Sequence, residues 1–267
     1  AAQQFEAILL RQMLSSARSA DFGGNDLFGG EGEETLLEIV EATLAGKDAG
    51  GLDGVSAREN GEIRKNPARA RIRDIDGISE PDWTDLPLEA YMDGGYGHGV
   101  NLGRSMPLMA TRGCPFQCTF CSSPGMWTTR WQARSPQMVF DEMVKYIDKY
   151  DAENFDLYDL TAIIKKDWIV KFTDIIFASG RTFTWQIPSG TRSEALDADV
   201  VDRLWRSGCR NMNYAPESGS EEVLKRIKKK VSLPKLVDSM KAAIKRDLNV
   251  KINMIFAFPE DTWGHLY

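Results

Sequence analysis

Arg112-Gly113-Cys114-Pro115-Phe116-Gln117-Cys118-Thr119-Phe120-Cys121 sets three thiols within eight residues, in a C-x3-C-x2-C pattern directly after the strand-like run 106–111. The chain has only four cysteines in 267 residues. Such crowding is too tight for a disulfide framework in a chain of this size and reads as metal ligation. Three thiolates on one loop can hold three irons of a cubane cluster and leave the fourth iron without a protein ligand. A chelating small molecule can then bind the open iron, accept an electron through it and break homolytically. Zinc is the alternative ligand for such a loop. It normally recruits a fourth Cys or His nearby, and none occurs between residues 122 and 208.

Outward from the cysteines, the chain alternates strand and helix signals, which predicts βα units and a parallel sheet covered by helices. The first strand is expected over 106–111. Its helix begins at Ser135 with Pro136 in the first turn and turns Val139, Phe140, Met143, Val144 and Ile147 inward. A second strand over 155–160 precedes a helix marked by Trp168, Ile169, Phe172, Ile175 and Ile176, which Gly180 closes. The third strand, 183–187, leads to a helix carrying Val200, Val201, Leu204 and Trp205 that stops at Gly208. A fourth strand near 211–215 is followed by a helical region interrupted at Leu233-Pro234, and 250–256 supplies a fifth strand with Lys251 and Asn253 as alternating polar residues. Five such strands form an open barrel segment. In barrels of this type reactive groups sit at the C-terminal ends of the strands, and the cysteines occupy that end of the first one.

The N-terminal third reads differently. Residues 2–19 place Phe5, Ile8, Leu9, Met13 and Leu14 on one helical stripe, and a second helix is expected at about 33–45, with acidic residues at its start and Gly46 at its stop. Between Gly50 and Gly103 short strand-like pieces are broken by Asn60-Gly61, Asn66-Pro67, Pro81 and the Gly-rich stretch 94–99, which predicts a small hairpin and a connecting segment.

With 42% hydrophobic residues the chain can bury a sizeable core. A formal net charge of −6 offers polyanions no general attraction, so nucleic acid is not an expected partner. No run of about 18 apolar residues and no signal pattern is present, which makes the cytoplasm the expected compartment and a membrane span unexpected. The basic run Lys225, Arg226, Lys228, Lys229, Lys230 reads as a solvated helix face. Cys209, at the start of the fourth strand, reads as core packing. His98 and His265 have no partners at ligand spacing.

The cysteine motif, with the aromatic Phe120 immediately before the last cysteine, resembles the radical S-adenosylmethionine superfamily, whose fold is a partial (β/α)6 barrel. The resemblance implies a [4Fe-4S] cluster on Cys114, Cys118 and Cys121, with S-adenosylmethionine as cofactor. It implies reductive cleavage of that cofactor to a 5′-deoxyadenosyl radical that modifies a small-molecule substrate by methylation, cyclisation or rearrangement. An electron donor of flavodoxin or ferredoxin type is implied as partner. Phe120 matches the family residue that packs near the adenine, and Pro216-Glu217-Ser218-Gly219-Ser220 is similar to the motif whose Glu and Ser contact the ribose or amino-acid part. A second reading of Glu217 is an acid favoured by the dipole of the following helix. Asp159-Leu160-Thr161 falls where the family binds the methionine amino group, without the glycine-rich form common elsewhere. Arg192 suits a bidentate pairing with the methionine carboxylate, or a solvated surface position.

A wider stretch resembles the subgroup with an N-terminal cobalamin-binding domain. Gly30-Glu-Gly-Glu-Glu-Thr-Leu36, Pro81-Asp-Trp83 with Leu86-Pro-Leu-Glu-Ala-Tyr91, and Cys121-Ser-Ser-Pro-Gly-Met-Trp127 with Arg134-Ser-Pro136 carry it. The Asp-x-His-x-x-Gly motif of a full cobalamin-binding half is absent, which puts cobalamin in doubt for these residues while leaving it implied for the full-length family. Residues 1–29 instead resemble the start of a flagellar rod-binding protein. The expected organisation is thus an amphipathic helix and loop over 1–29, a remnant of the cobalamin-binding domain plus linker over 30–103, and a barrel over 104–267 that lacks its last βα unit. The alternative to an active enzyme is a catalytically silent fragment or fusion that serves as a binding or assembly module.

Overall fold

Strand and helix periods alternate along the second half of the chain, and the computed structural model realises them as five parallel strands with helices between them. It describes residues 31–68, 70, 72–127, 129–192 and 195–265. The helix expected over 2–19 and the flagellar resemblance of 1–29 lie outside these residues. The chain divides into two compact units, one ending at Leu86 and the other beginning at Pro87.

In the first unit, helix α1 spans Glu31–Leu44. Gly46 ends it with φ +65°, and the Lys47 N–H donates back to the Ala42 carbonyl at 2.8 Å, the closure that a left-handed residue after a helix permits. Strands β1 (Ser56–Glu59) and β2 (Glu62–Lys65) form an antiparallel hairpin with Glu59 opposite Glu62. Its two turn residues, Asn60 and Gly61, both have positive φ (51° and 88°), which matches the twist of the flanking strands.

The second unit opens with helix α2 (Leu88–Asp93), which buries Leu88 and Met92. Strand β3 (Ser105–Leu108) follows, then the short β4 (Thr111–Arg112), helix α3 (Ser123–Trp127) and β5 (Gln132–Ala133). The remaining elements are α4 (Pro136–Tyr150), β6 (Asn154–Leu157), α5 (Lys166–Ser179), β7 (Thr184–Thr191), α6 (Ala198–Arg206), β8 (Cys209–Glu217), α7 (Glu221–Arg226), α8 (Leu233–Lys245) and β9 (Asn249–Met254). The main sheet runs β3-β6-β7-β8-β9 with every pair parallel. Strand order therefore follows chain order without a reversal, as in a barrel segment and unlike a doubly wound sheet.

Helix ends follow their local chemistry. Ser135 caps α4 by accepting from the Met138 N–H at 3.3 Å, and Pro136 fills the first turn. Asp197 caps α6 through the Val200 N–H at 2.9 Å. Pro234 lies in the first turn of α8, so the interruption read at Leu233-Pro234 is a helix start, with the backbone of 227–232 separating two helices.

The two faces of the sheet have opposite chemistry. Met106, Leu108, Phe155, Leu157, Trp185, Ile187, Met212 and Tyr214 are at most 2% exposed, and this strand face meets the helical stripes. Phe172 of α5 meets Trp185 edge-on at 5.7 Å, and Tyr214 reaches Ser239 of α8 at 2.8 Å. The intervening positions Asn154, Asp156, Gln186, Asn211 and Asn213 are polar and buried; the first four are bonded to one another, and Asn213 donates to the Pro188 carbonyl and to Asn253. Gln186 donates to Asp156 at 2.6 Å and accepts from Asn211 at 2.8 Å, while Asn154 donates to Asp156 at 2.7 Å. The Gly-rich segment lies against this network: Val100 exchanges two hydrogen bonds with Gln186, at 3.0 and 2.9 Å. A Cβ on Gly99 would stand 2.0 Å from the Gln186 amide oxygen, so only glycine admits the approach.

Candidate active site

The cysteine loop is tied at its base. The first strand was expected to run to Thr111, but it leaves the sheet after Leu108. The Ala110 N–H turns to Asp159 at 3.2 Å, and Thr111 and Arg112 pair antiparallel with Ala133 and Gln132. β4 and β5 are thus the two ends of one closed excursion that contains all three cysteines. Gly113 opens it with φ +80°, and a Cβ there would stand 2.1 Å from the Arg130 carbonyl oxygen. A second tie comes from the far side, where the Thr119 N–H donates to the Ile227 carbonyl at 3.0 Å.

Cys114 and Cys118 are partly buried and Cys121 is exposed. Burial pushes the Cys118 thiol up, the nearby cations Lys229 and Arg192 oppose it, and Cys114 and Cys121 are close enough to add to the rise. The Cys121 sulfur accepts from the Ser123 N–H at 3.4 Å, and the Cys114 sulfur from the Thr161 hydroxyl at 3.5 Å. Among the described residues no three Cys, His, Asp or Glu side chains converge on a point where one metal ion would be held. A cluster asks for something else, one thiolate per iron, and the three-sulfur loop suits it. Cys209 lies at the opposite end of its strand, fully buried, with its thiol pushed up to about 12 by burial, as a packing residue.

Irregularities at the strand ends aim the other expected groups. β7 shifts register between Ile187 and Thr191, and β8 shifts between Tyr214 and Glu217. Such bulges redirect the side chains that follow them. Glu217 takes φ +69°, a costly conformation for a residue with a Cβ, and forms an ion pair with Lys229 at 3.0 Å in which both side chains are about 10% exposed. Ser220, not Glu217, caps α7, and the Glu217 carboxylate faces Lys229. Ser218 is buried and accepts from the Ser220 N–H at 3.1 Å. Arg192 stacks on Phe116 of the cysteine loop, its guanidinium carbon 3.6 Å from the ring centroid. Phe120, 41% exposed, packs against Phe258 at 5.7 Å.

The structure therefore brings Phe120, Arg192, Thr161, Glu217 and Ser218 to the strand ends that carry the cysteine loop. Asp159 is turned the other way. It is fully buried, accepts from the Thr111 hydroxyl at 2.5 Å and the Ala110 N–H, and lies beneath the loop. Two hydroxyls near the loop, Ser123 Oγ and Thr191 Oγ1, are buried without a hydrogen-bond partner, an arrangement that suits a polar ligand. A cavity of about 460 Å³ lies beside the loop, lined by Phe116, Ile163, Ile164, Arg192, Lys230 and Val231 among others.

The basic run is not one solvated face. Lys225, Lys228 and Lys230 are exposed, but Arg226 pairs with Asp261 at 2.5 Å and Lys229 turns inward to Glu217. Sequence reasoning missed this because the turn after α7 breaks the helical period on which a face is counted.

A family model described as the radical SAM superfamily matches residues 108–267. An uncharacterized methyltransferase of Pyrococcus horikoshii is 30% identical over 233 residues, 87% of this chain and 49% of that protein. The anaerobic magnesium-protoporphyrin IX monomethyl ester cyclase of Cereibacter sphaeroides is 26% identical over 259 residues, 95% of this chain and 40% of that protein. The chain thus spans half or less of the length of these curated relatives. Among solved structures, the methyltransferase TsrM from Kitasatospora setae, with tryptophan and a SAM analog bound, superposes with a TM-score of 0.65 at 18% identity, covering 89% of this chain and 47% of that one. The cobalamin-dependent enzyme OxsB, with aqua-cobalamin and S-adenosylmethionine bound, gives 0.65 at 17% identity, covering 84% and 32%. At these identities the likeness is one of fold.

Proposed function

Because the chain belongs to the radical S-adenosylmethionine superfamily, we propose that Cys114, Cys118 and Cys121 hold a [4Fe-4S] cluster and that the strand ends around them bind S-adenosylmethionine for methyl transfer or ring closure on a small-molecule substrate. The observation that carries this reading is the three-thiol loop, pinned between β4 and β5 at the C-terminal end of β3, with Thr161, Glu217 and Ser218 around it. When bound, cluster and cofactor would supply one-electron chemistry, in which an electron from an external reductant is consumed in cleaving the sulfonium to methionine and a 5′-deoxyadenosyl radical.

The chain's own residues bind and orient. The Glu217 carboxylate can accept both ribose hydroxyls, and the unpartnered Thr191 hydroxyl offers a further polar contact. Phe120 gives the adenine an apolar face, and Arg192 a fork for the methionine carboxylate, pre-set by its stack on Phe116. Asp159 binds no ligand in this scheme; it holds Thr111 and Ala110, and with them the first residues of the cysteine loop. The methyltransferase and cyclase names of the curated relatives support a carbon-modifying reaction. Cobalamin fits these residues poorly, for the described part of the first unit is a helix and a hairpin rather than a doubly wound sheet. No step is assigned to it. Among the described residues no helix is long and apolar enough to cross a membrane.

Anaerobic reconstitution with iron and sulfide tests the reading. With dithionite and S-adenosylmethionine, the protein is expected to release 5′-deoxyadenosine or S-adenosylhomocysteine, and a variant with all three cysteines changed to Ala is expected to release neither. Equal release from both overturns the proposal. Uptake of one zinc ion in place of iron would identify the silent module instead.

A further inference from the structure

Lys229 belongs to a basic run with no expected role, yet it is the cation buried between the cysteine loop and Glu217. Its ammonium is 3.0 Å from the Glu217 carboxylate and 6.0 Å from the Phe120 ring centroid, and its side chain is only 11% exposed. The surrounding backbone is fixed. The Lys229 N–H donates to the Leu224 carbonyl at 2.9 Å, Ile227 accepts from Thr119 of the cysteine loop, and Lys228 takes φ +56° to turn the chain inward. Beneath it Val223, Leu224 and Ile227 form an apolar cluster on which Phe258 packs, and Phe258 in turn meets Phe120. A buried lysine loses hydration and is normally found paired, and a charge in such surroundings acts further than one in water.

We infer that Lys229 is a positioning residue with two duties: it holds the Glu217 carboxylate toward the ribose, and it sets a fixed positive charge behind the cysteine loop that makes the bound cluster easier to reduce. This rests on the proposed function, since it presumes a cluster on the three cysteines. The charge favours the reduced cluster because reduction adds an electron to a site that already carries negative thiolates.

The reconstituted 267-residue chain, without S-adenosylmethionine, is titrated with dithionite and followed by electron paramagnetic resonance. K229Q removes the cation and leaves Glu217 uncompensated, so the reduction equilibrium is expected to shift about tenfold toward the oxidised cluster, or ~59 mV for a one-electron couple. E217Q removes the anion and is expected to shift it in the opposite direction. K229R is expected to keep the wild-type value. Equilibrium dialysis with labelled S-adenosylmethionine is expected to show binding weakened about tenfold in K229Q and restored in K229R. A merely structural role would move both substitutions the same way or not at all, and that result overturns the inference. If K229Q loses its iron, the direction of the E217Q shift decides. A wild-type chain that takes up no cluster defeats the cysteine assignment and this role together; a wild-type cluster whose potential ignores both substitutions defeats the role of Lys229 alone.

Discussion

The Thr111 hydroxyl donates to the Asp159 carboxylate at 2.5 Å, joining the root of the cysteine loop to the segment that leaves the second strand of the main sheet. Burial pushes Asp159 up to about 6 from an ordinary value of 3.8, against the hydrogen bonds from Thr111 and Ala110. The unfolded chain therefore loses this proton first as pH rises. The contribution of the group to stability is fully present below about pH 3.8 and is lost as pH rises through about 6. Two pKa units correspond to on the order of 2–3 kcal/mol. Asp159→Asn is expected to abolish that part of the decline, measured as the difference in unfolding free energy between wild type and variant from pH 4 to 7. Parallel curves for the two proteins would show that Asp159 does not titrate in this way.

Gly113→Ala places a Cβ 2.1 Å from the Arg130 carbonyl oxygen at φ +80°. The strain is expected to cost about 1–3 kcal/mol and to displace Cys114. Iron per chain after reconstitution should fall well below that of wild type while the helical circular dichroism persists. Full iron content in the variant would mean that the loop tolerates the shift.

Cys209→Ala separates packing from ligation. Its thiol is fully buried at the start of its strand, away from the other three, so the variant is expected to bind as much iron as wild type and to lose about 1 kcal/mol of stability. Loss of iron with the fold intact would assign Cys209 to the cluster.

Gln186→Leu removes the hub of the polar network inside the sheet. Asp156, Asn211 and both backbone groups of Val100 would each lose a partner while buried or partly buried. Each orphaned group costs about 1–3 kcal/mol, so the variant is expected to unfold at much lower denaturant concentration or not to fold. Gln186→Glu is expected to be equally harmful, since it sets a second carboxylate beside Asp156. A variant as stable as wild type would show that water replaces the amide.

Much of this was readable from the chain alone. Strand and helix periods are local, and the helix start at Ser135, the stops at Gly46 and Gly180 and the turn at Asn60-Gly61 act within a few residues of themselves. The cysteine spacing is local too, which is why the three-thiol loop is legible in the sequence itself. Asn154, Asp156, Gln186, Asn211 and Asn213 alternate with apolar neighbours in the sequence as well, but the meaning of that alternation depends on which face the helices cover.

Other features needed the third dimension because their partners are far apart in sequence. Asp159 lies 48 residues from Thr111, and which way its carboxylate turns depends on where β3 leaves the sheet. The strand ends at Leu108 because Asp159 and β5 capture the next residues, a competition between backbone partners that no local propensity records. Lys229 looked like one more solvated lysine until the turn after α7 brought it against Glu217. Motif and period are written in neighbouring side chains; burial, pairing and charge environment arise only when distant segments exclude water together.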